Sequence, residues 1–99
     1  MSFVTTDPHA LTAASGNMQD IGLSMAANNA AAAVPTTGVV PAAADPVSAL
    51  TAAQFASHAQ LYQTISAQAA AIHQQMVATL GSNANAYACT ETANALSAR

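Results

Sequence analysis

The stretch DPVSALTAAQFASHAQLYQTISAQAAAIHQQM, residues 45–76, decides the fold. It opens on Asp45-Pro46, two residues that mark a helix start. An N-cap aspartate accepts hydrogen bonds from the unpaired N–H groups of the first turn. Proline at the first helical position gives up an N–H that has no partner there anyway. Beyond them Phe55, His58, Tyr62, Ile65, Ala69, Ile72 and Met76 recur at alternating three- and four-residue steps. That is the period of one helix face. Val47, Leu50 and Leu61 form a second stripe near the start. The spacing predicts a helix over about 46–80, weakened at Gly81-Ser82-Asn83, with 81–99 as a further short helix or a tail.

The same dipeptide stands upstream as Asp7-Pro8 and predicts a first helix over about 8–33. Its stripe is Leu11, Ala14, Met18, Ile21, Met25 and Ala32, interrupted by Asn28, with Leu23 on another side. Asn28 is a candidate for bonding across an interface or for solvation at its rim. Val34 precedes Pro35 and is biased away from helical backbone, so the helix is expected to end there or to kink and continue for one turn. Pro35, Gly38 and Pro41 punctuate a connector over about 34–45. It is long enough to reverse the chain and lay the second helix antiparallel to the first. No segment shows strand alternation. The expected fold is all-α: a single domain over 1–99, built as an antiparallel two-helix hairpin with Asp7, Pro8, Asp45 and Pro46 as helix caps.

Such a hairpin can bury only the seam between its rods, yet these helices carry apolar residues on more than one side. The chain has one basic residue, Arg99, and four acidic ones, Asp7, Asp20, Asp45 and Glu91. A globular domain is ordinarily about one quarter charged. The uncharged flanks therefore predict a partner that completes a four-helix bundle, and the many alanines would let helix axes approach closely. The expected partner-binding face is Leu11, Met18, Ile21, Met25, Phe55, Tyr62, Ile65, Ile72 and Met76.

The same composition excludes several functions. A single arginine cannot neutralise a run of phosphates, so no nucleic acid is expected. No stretch has the roughly 18 apolar residues of a membrane span, and the N-terminus lacks the basic and apolar regions of a Sec-type signal. His9, His58 and His73 have no metal spacing with each other or with an acid or Cys89, so no metal is expected. His58 lies on the apolar stripe, placed to bond across a bundle. No nucleophile elbow and no paired carboxylates are present, so no catalytic residue, cofactor or small-molecule substrate is expected and the chain is read as a non-enzyme. Cys89, the lone cysteine, indicates no redox compartment.

The residues resemble the PE family of mycobacterial proteins, in its short form. The resemblance rests on Met-Ser-Phe-Val at 1–4, the Pro8 region, Pro-Thr-Thr-Gly-Val-Val-Pro-Ala-Ala-Ala-Asp at 35–45 and Val-Ser-Ala-Leu-Thr-Ala-Ala-Gln-Phe at 47–55. It implies a heterodimer with a PPE protein, with a four-helix bundle at its core. It further implies export by a type VII secretion system to the cell envelope, the cell surface or the outside, from a cytosolic pool. An EspG-type chaperone would act only through the PPE chain. The family's export signal, Tyr-x-x-x-Asp/Glu after the second helix, is matched by Tyr87-Ala-Cys-Thr-Glu91. Tyrosine and carboxylate at i, i+4 share one helix face. One departure is His9, where the family has glutamate; a first-turn carboxylate would favour the helix dipole and histidine does not. The alternative expectation is a self-associating hairpin serving as a homodimeric adaptor or envelope component, as in type VII substrates marked by Trp-x-Gly, but this chain has no tryptophan.

Overall fold

The computed structural model describes residues 4–99, so Met1, Ser2 and Phe3 of the opening motif lie outside the described residues. Two helices account for most of the chain: α1, Pro8–Thr37, and α2, Pro46–Ser97. No strand occurs among the described residues, and the chain is a helical hairpin.

Both helices begin at an Asp-Pro proline. Asp7 Oδ1 accepts from the His9 and Ala10 N–H groups at 3.1 Å each, and the Asp7 carbonyl accepts from Leu11 N–H. Asp45 Oδ1 accepts from Ser48 N–H at 2.9 Å, while Oδ2 takes the Ser48 hydroxyl at 2.7 Å. The Ser48 backbone and hydroxyl bonds hold the Asp45 carboxyl below its ordinary value of 3.8. These bonds favour the ionised form, so the stabilisation they supply is complete above that ordinary value and is lost as pH falls through the lowered one. Asp45→Asn is expected to weaken the pH dependence of thermal unfolding below about pH 4, where the carboxylate titrates; an unchanged acid limb would remove this role.

α2 outlasts its expected end, and α1 takes the second of its two expected courses, one further turn past Val34. α1 continues through Pro35 to Thr37 and does not stop near Ala33. An interior proline costs one backbone bond and crowds the carbonyl four residues back. Here that cost falls in the last turn, where the chain is leaving the helix anyway. The Thr36 and Thr37 hydroxyls bond back to the Ala32 and Ala33 carbonyls, and Gly38 N–H closes on Val34. The connector is correspondingly shorter, residues 38–45. α2 runs through Gly81-Ser82-Asn83 to Ser97, so residues 81–97 are helix and not a separate tail. The reason lies in the packing around Gly81.

The chain divides into two compact units. One joins the chain up to Gly22 with α2 from His73 onward; the other is Leu23–Ile72, including the connector. In the first unit the helices run antiparallel and are stitched by bonds from side chains to main-chain carbonyls. The Ser15 hydroxyl donates to the Val77 carbonyl at 3.1 Å, and His73 Nε2–H donates to the Met18 carbonyl at 2.6 Å.

Each accepting carbonyl lies four residues before a glycine: Val77 before Gly81, Met18 before Gly22. A helical side chain leans toward the N-terminus, over the turn that precedes it. A glycine at that place uncovers the carbonyl and lets the opposite helix reach it. A Cβ on Gly22 would sit 2.8 Å from His73 Cδ2 and 2.9 Å from Nε2, whereas one on Gly81 would meet Ser15 Oγ at 3.6 Å. Gly22 is therefore required for the imidazole to approach, and Gly81 is compatible with helix because its flank is filled by α1.

Gly22→Ala is expected to destabilise the protein by about 1–2 kcal/mol, since displacing His73 outweighs the roughly 1 kcal/mol gain in helix propensity. Nothing lies within 4 Å of a Cβ on Gly16. Gly16→Ala is expected to stabilise by about 0.5–1 kcal/mol. Equal melting temperatures for the two variants would refute the access role of Gly22.

Candidate functional site

The less exposed side of α2 is not the large apolar stripe. In the Leu23–Ile72 unit it is Ala52, Ala56, Ala59, Gln63 and Ser66; in the other unit it is His73, Val77, Leu80, Ala84 and Glu91. These positions follow a three/four repeat as regular as that of the large residues, and in the Leu23–Ile72 unit all but Gln63 are alanine or serine. Ala52 and Ala84 are the buried hydrophobic residues among those described, at 6 % and 2 % exposure. On α1 the matching positions are Leu11, Ala14, Ser15, Met18 and Gly22, then Asn29, Ala32 and Ala33. Small side chains let two helix backbones come close enough for the bonds to carbonyls described above.

The large apolar side chains are left outside. In the Leu23–Ile72 unit, Met25, Phe55, Tyr62, Ile65 and Ile72 are exposed, with Phe55 at 63 %, Ile65 at 54 % and Ile72 at 66 %. In the other unit Ile21 and Met76 are exposed, while Leu11 and Met18 are only partly so. Of the residues expected on a partner-binding face, Leu11 and Met18 thus belong to the hairpin's own seam and the remaining seven project from it.

The side of α2 turned away from that apolar flank carries Ser57, Gln60 and Thr64 in the Leu23–Ile72 unit and Ser82 and Asn85 in the other, all polar and exposed. α2 therefore has a small seam, a large apolar flank and a polar back. The flank and back differ in kind, and only the flank carries an energetic reason to be covered: each large side chain buried contributes about 1.5–3 kcal/mol.

Polar residues along the apolar flank set its edge. The Tyr62 hydroxyl donates to Asn29 Oδ1 at 2.8 Å, and Gln63 Nε2–H donates to the Asn29 carbonyl at 3.1 Å. The cross-helix asparagine is therefore Asn29, and its neighbour Asn28 is exposed. Likewise His73 is the histidine that bonds between helices; His58 pairs at 3.0 Å with Gln54 on its own helix. The signal for both cross-helix partners is the small-residue seam, which places 63 and 73 inward and 58 outward.

Tyr87 and Glu91 lie one turn apart within α2. Tyr87 is exposed, at 46 %, and Glu91 is half-buried. The Thr6 hydroxyl donates to Glu91 Oε1 at 3.0 Å, a contact that spans nearly the whole sequence. Cys89 is exposed. Among the described residues no group of three or more His, Cys, Asp or Glu side chains is gathered to hold a metal, and no helix is long and apolar enough to cross a membrane.

The hairpin leaves large apolar side chains of α2 exposed. The chain belongs to the PE family, which matches residues 4–94. It is 63 % identical over 98 residues to PE family protein PE13 of Mycobacterium tuberculosis (strain ATCC 25618 / H37Rv), covering 99 % of each chain. It is 51 % identical over 98 residues to PE family protein PE8 of the same strain, but spans only 36 % of that protein. PE-PGRS family protein PE_PGRS33 of Mycobacterium tuberculosis (strain CDC 1551 / Oshkosh) is 54 % identical over 95 residues, of which the chain spans 20 %. The hairpin is thus nearly the whole of one relative and a minor part of others.

Proposed function

We propose that this protein is a non-enzymatic PE subunit that pairs with a PPE protein to complete a four-helix bundle and leaves the cell by type VII secretion. The observation that carries the pairing is the uncovered flank of Phe55, Ile65 and Ile72, with Tyr62 beside them, in the Leu23–Ile72 unit. A hairpin that folded for its own sake would place such residues in its seam, whereas in the Leu23–Ile72 unit the seam side of α2 is Ala52, Ala56, Ala59, Gln63 and Ser66. The occupant is apolar and helical in this reading, because the flank keeps helical spacing along α2 and almost no charge interrupts it.

Tyr87 and Glu91 serve as the export signal. They stand at i, i+4 near the end of α2, away from Phe55, Ile65 and Ile72 in sequence, so recognition and pairing use different parts of α2. An EspG-type chaperone engages the PPE chain, and the destination is the cell envelope, its surface or the outside.

The test is co-expression with a PPE protein from the same genome, followed by mass measurement of the purified material. A one-to-one heterodimer is expected. A homodimer, or a stable monomer that ignores the PPE chain, would overturn the pairing; the former is the outcome that a self-associating adaptor requires.

A further inference from the structure

We propose that Thr6 is a positioning residue for the Tyr87/Glu91 export signal: its hydroxyl holds the Glu91 carboxylate in place for recognition. The proposal rests on the export reading given above and extends it to a residue far away in sequence.

The geometry is local and specific. Thr6 Oγ1 donates to Glu91 Oε1 at 3.0 Å, in a half-buried setting. A hydrogen bond to an ionised carboxylate is among the stronger side-chain bonds. It engages one carboxylate oxygen and restrains a side chain that otherwise has several rotatable bonds. Thr6 is itself well placed to do this. Its neighbour Asp7 is fixed by three bonds into the first turn of α1, from His9, Ala10 and Leu11. The anchored cap thus holds Thr6 in place, and Thr6 holds Glu91.

Tyr87 stands one turn back on the same helix, in the unit that also contains Thr6. A protein that reads this pair needs a slot for the phenol ring and an N–H or cationic donor for the carboxylate. Pre-setting the carboxylate reduces the ordering cost of recognition. Without the Thr6 hydroxyl the signal residues remain, but the carboxylate loses its restraint.

The experiment compares secretion of Thr6→Val, Thr6→Ser, Tyr87→Ala, Glu91→Ala and the double variant Thr6→Val/Glu91→Ala, each co-expressed with the PPE partner. Valine keeps the shape and removes the donor; serine restores the donor. Thr6→Val is expected to lower the exported fraction by about tenfold, the scale of one bond to a charged group. Thr6→Ser is expected to export normally, and both single variants should retain helix content and PPE co-purification. The double variant should export no worse than Glu91→Ala, because Thr6 acts through Glu91. Normal export of Thr6→Val alongside failure of Tyr87→Ala overturns the positioning role and leaves the export reading standing. Normal export of Tyr87→Ala removes the export reading itself. Failure of Thr6→Ser, or loss of the PPE chain from Thr6→Val, also overturns the proposal, since either would mean that position 6 acts through packing.

Discussion

Ile65→Asp is expected to abolish co-purification with the PPE chain while leaving the helix content of this protein unchanged. Ile65 is exposed in the hairpin, so the substitution removes no buried contact of the chain's own. Its cost to the isolated helix is only the small difference in propensity between isoleucine and aspartate. In a bundle the same carboxylate would be buried against apolar helices. The chain's single basic residue, Arg99, is at the far end of the sequence and offers no nearby counter-charge. An uncompensated buried charge costs about 3–5 kcal/mol, which is roughly a thousandfold in Kd. The matched control is Gln60→Asp, exposed on the side of α2 turned away from Ile65 and expected to pair normally. Pull-down and isothermal titration on both variants decide the matter. Equal affinity for the two would show that the flank is not the interface.

Ala84→Leu attacks the other side of the same helix, and the loss is expected in stability. Ala84 is nearly completely buried in the unit that holds Ser15, Val77 and Gly81. A leucine there has no room unless the helices separate. Separation would lengthen the Ser15 bond to the Val77 carbonyl and the His73 bond to the Met18 carbonyl, both of which depend on close approach. Overpacking of this kind costs about 1–3 kcal/mol before the lost bonds are counted. A fall in melting temperature of roughly 10 °C is expected on the scale of a small domain. Ala78→Leu, on an exposed position of α2, serves as the comparison and should melt within a few degrees of the parent. Should Ala84→Leu melt like Ala78→Leu, the seam is looser than a small-residue packing requires.

The helix starts were open to reading from a few adjacent residues, because a cap is a local device. Asp7 and Asp45 need only the N–H groups one turn ahead, and the proline beside each supplies the backbone angle. The helix ends were not. Pro35 and Gly81 are weak points by intrinsic propensity, and propensity is a modest preference that packing overrides. At Gly81 the deciding contact comes from Ser15, far away in sequence, and no local rule contains it. Tyr87 and Glu91 were legible as an i, i+4 pair, but the contact of Thr6 with Glu91 was not, since it exists only when the two ends of the chain meet.

The sequence alone determined that the chain is helical, charge-poor, turned once, and a member of the PE family. Those properties follow from local capping, from hydrophobic period and from shared motifs. Which face of each helix meets the other was left undecided, because α2 carries two stripes of the same period, one large and apolar and one small. Period alone cannot rank them. The tertiary structure chose the small stripe, since only alanine, serine and glycine let the backbones come close enough for His73 and Ser15 to reach carbonyls across the seam. Large side chains such as Phe55, Ile65 and Ile72 were thereby turned outward and left exposed.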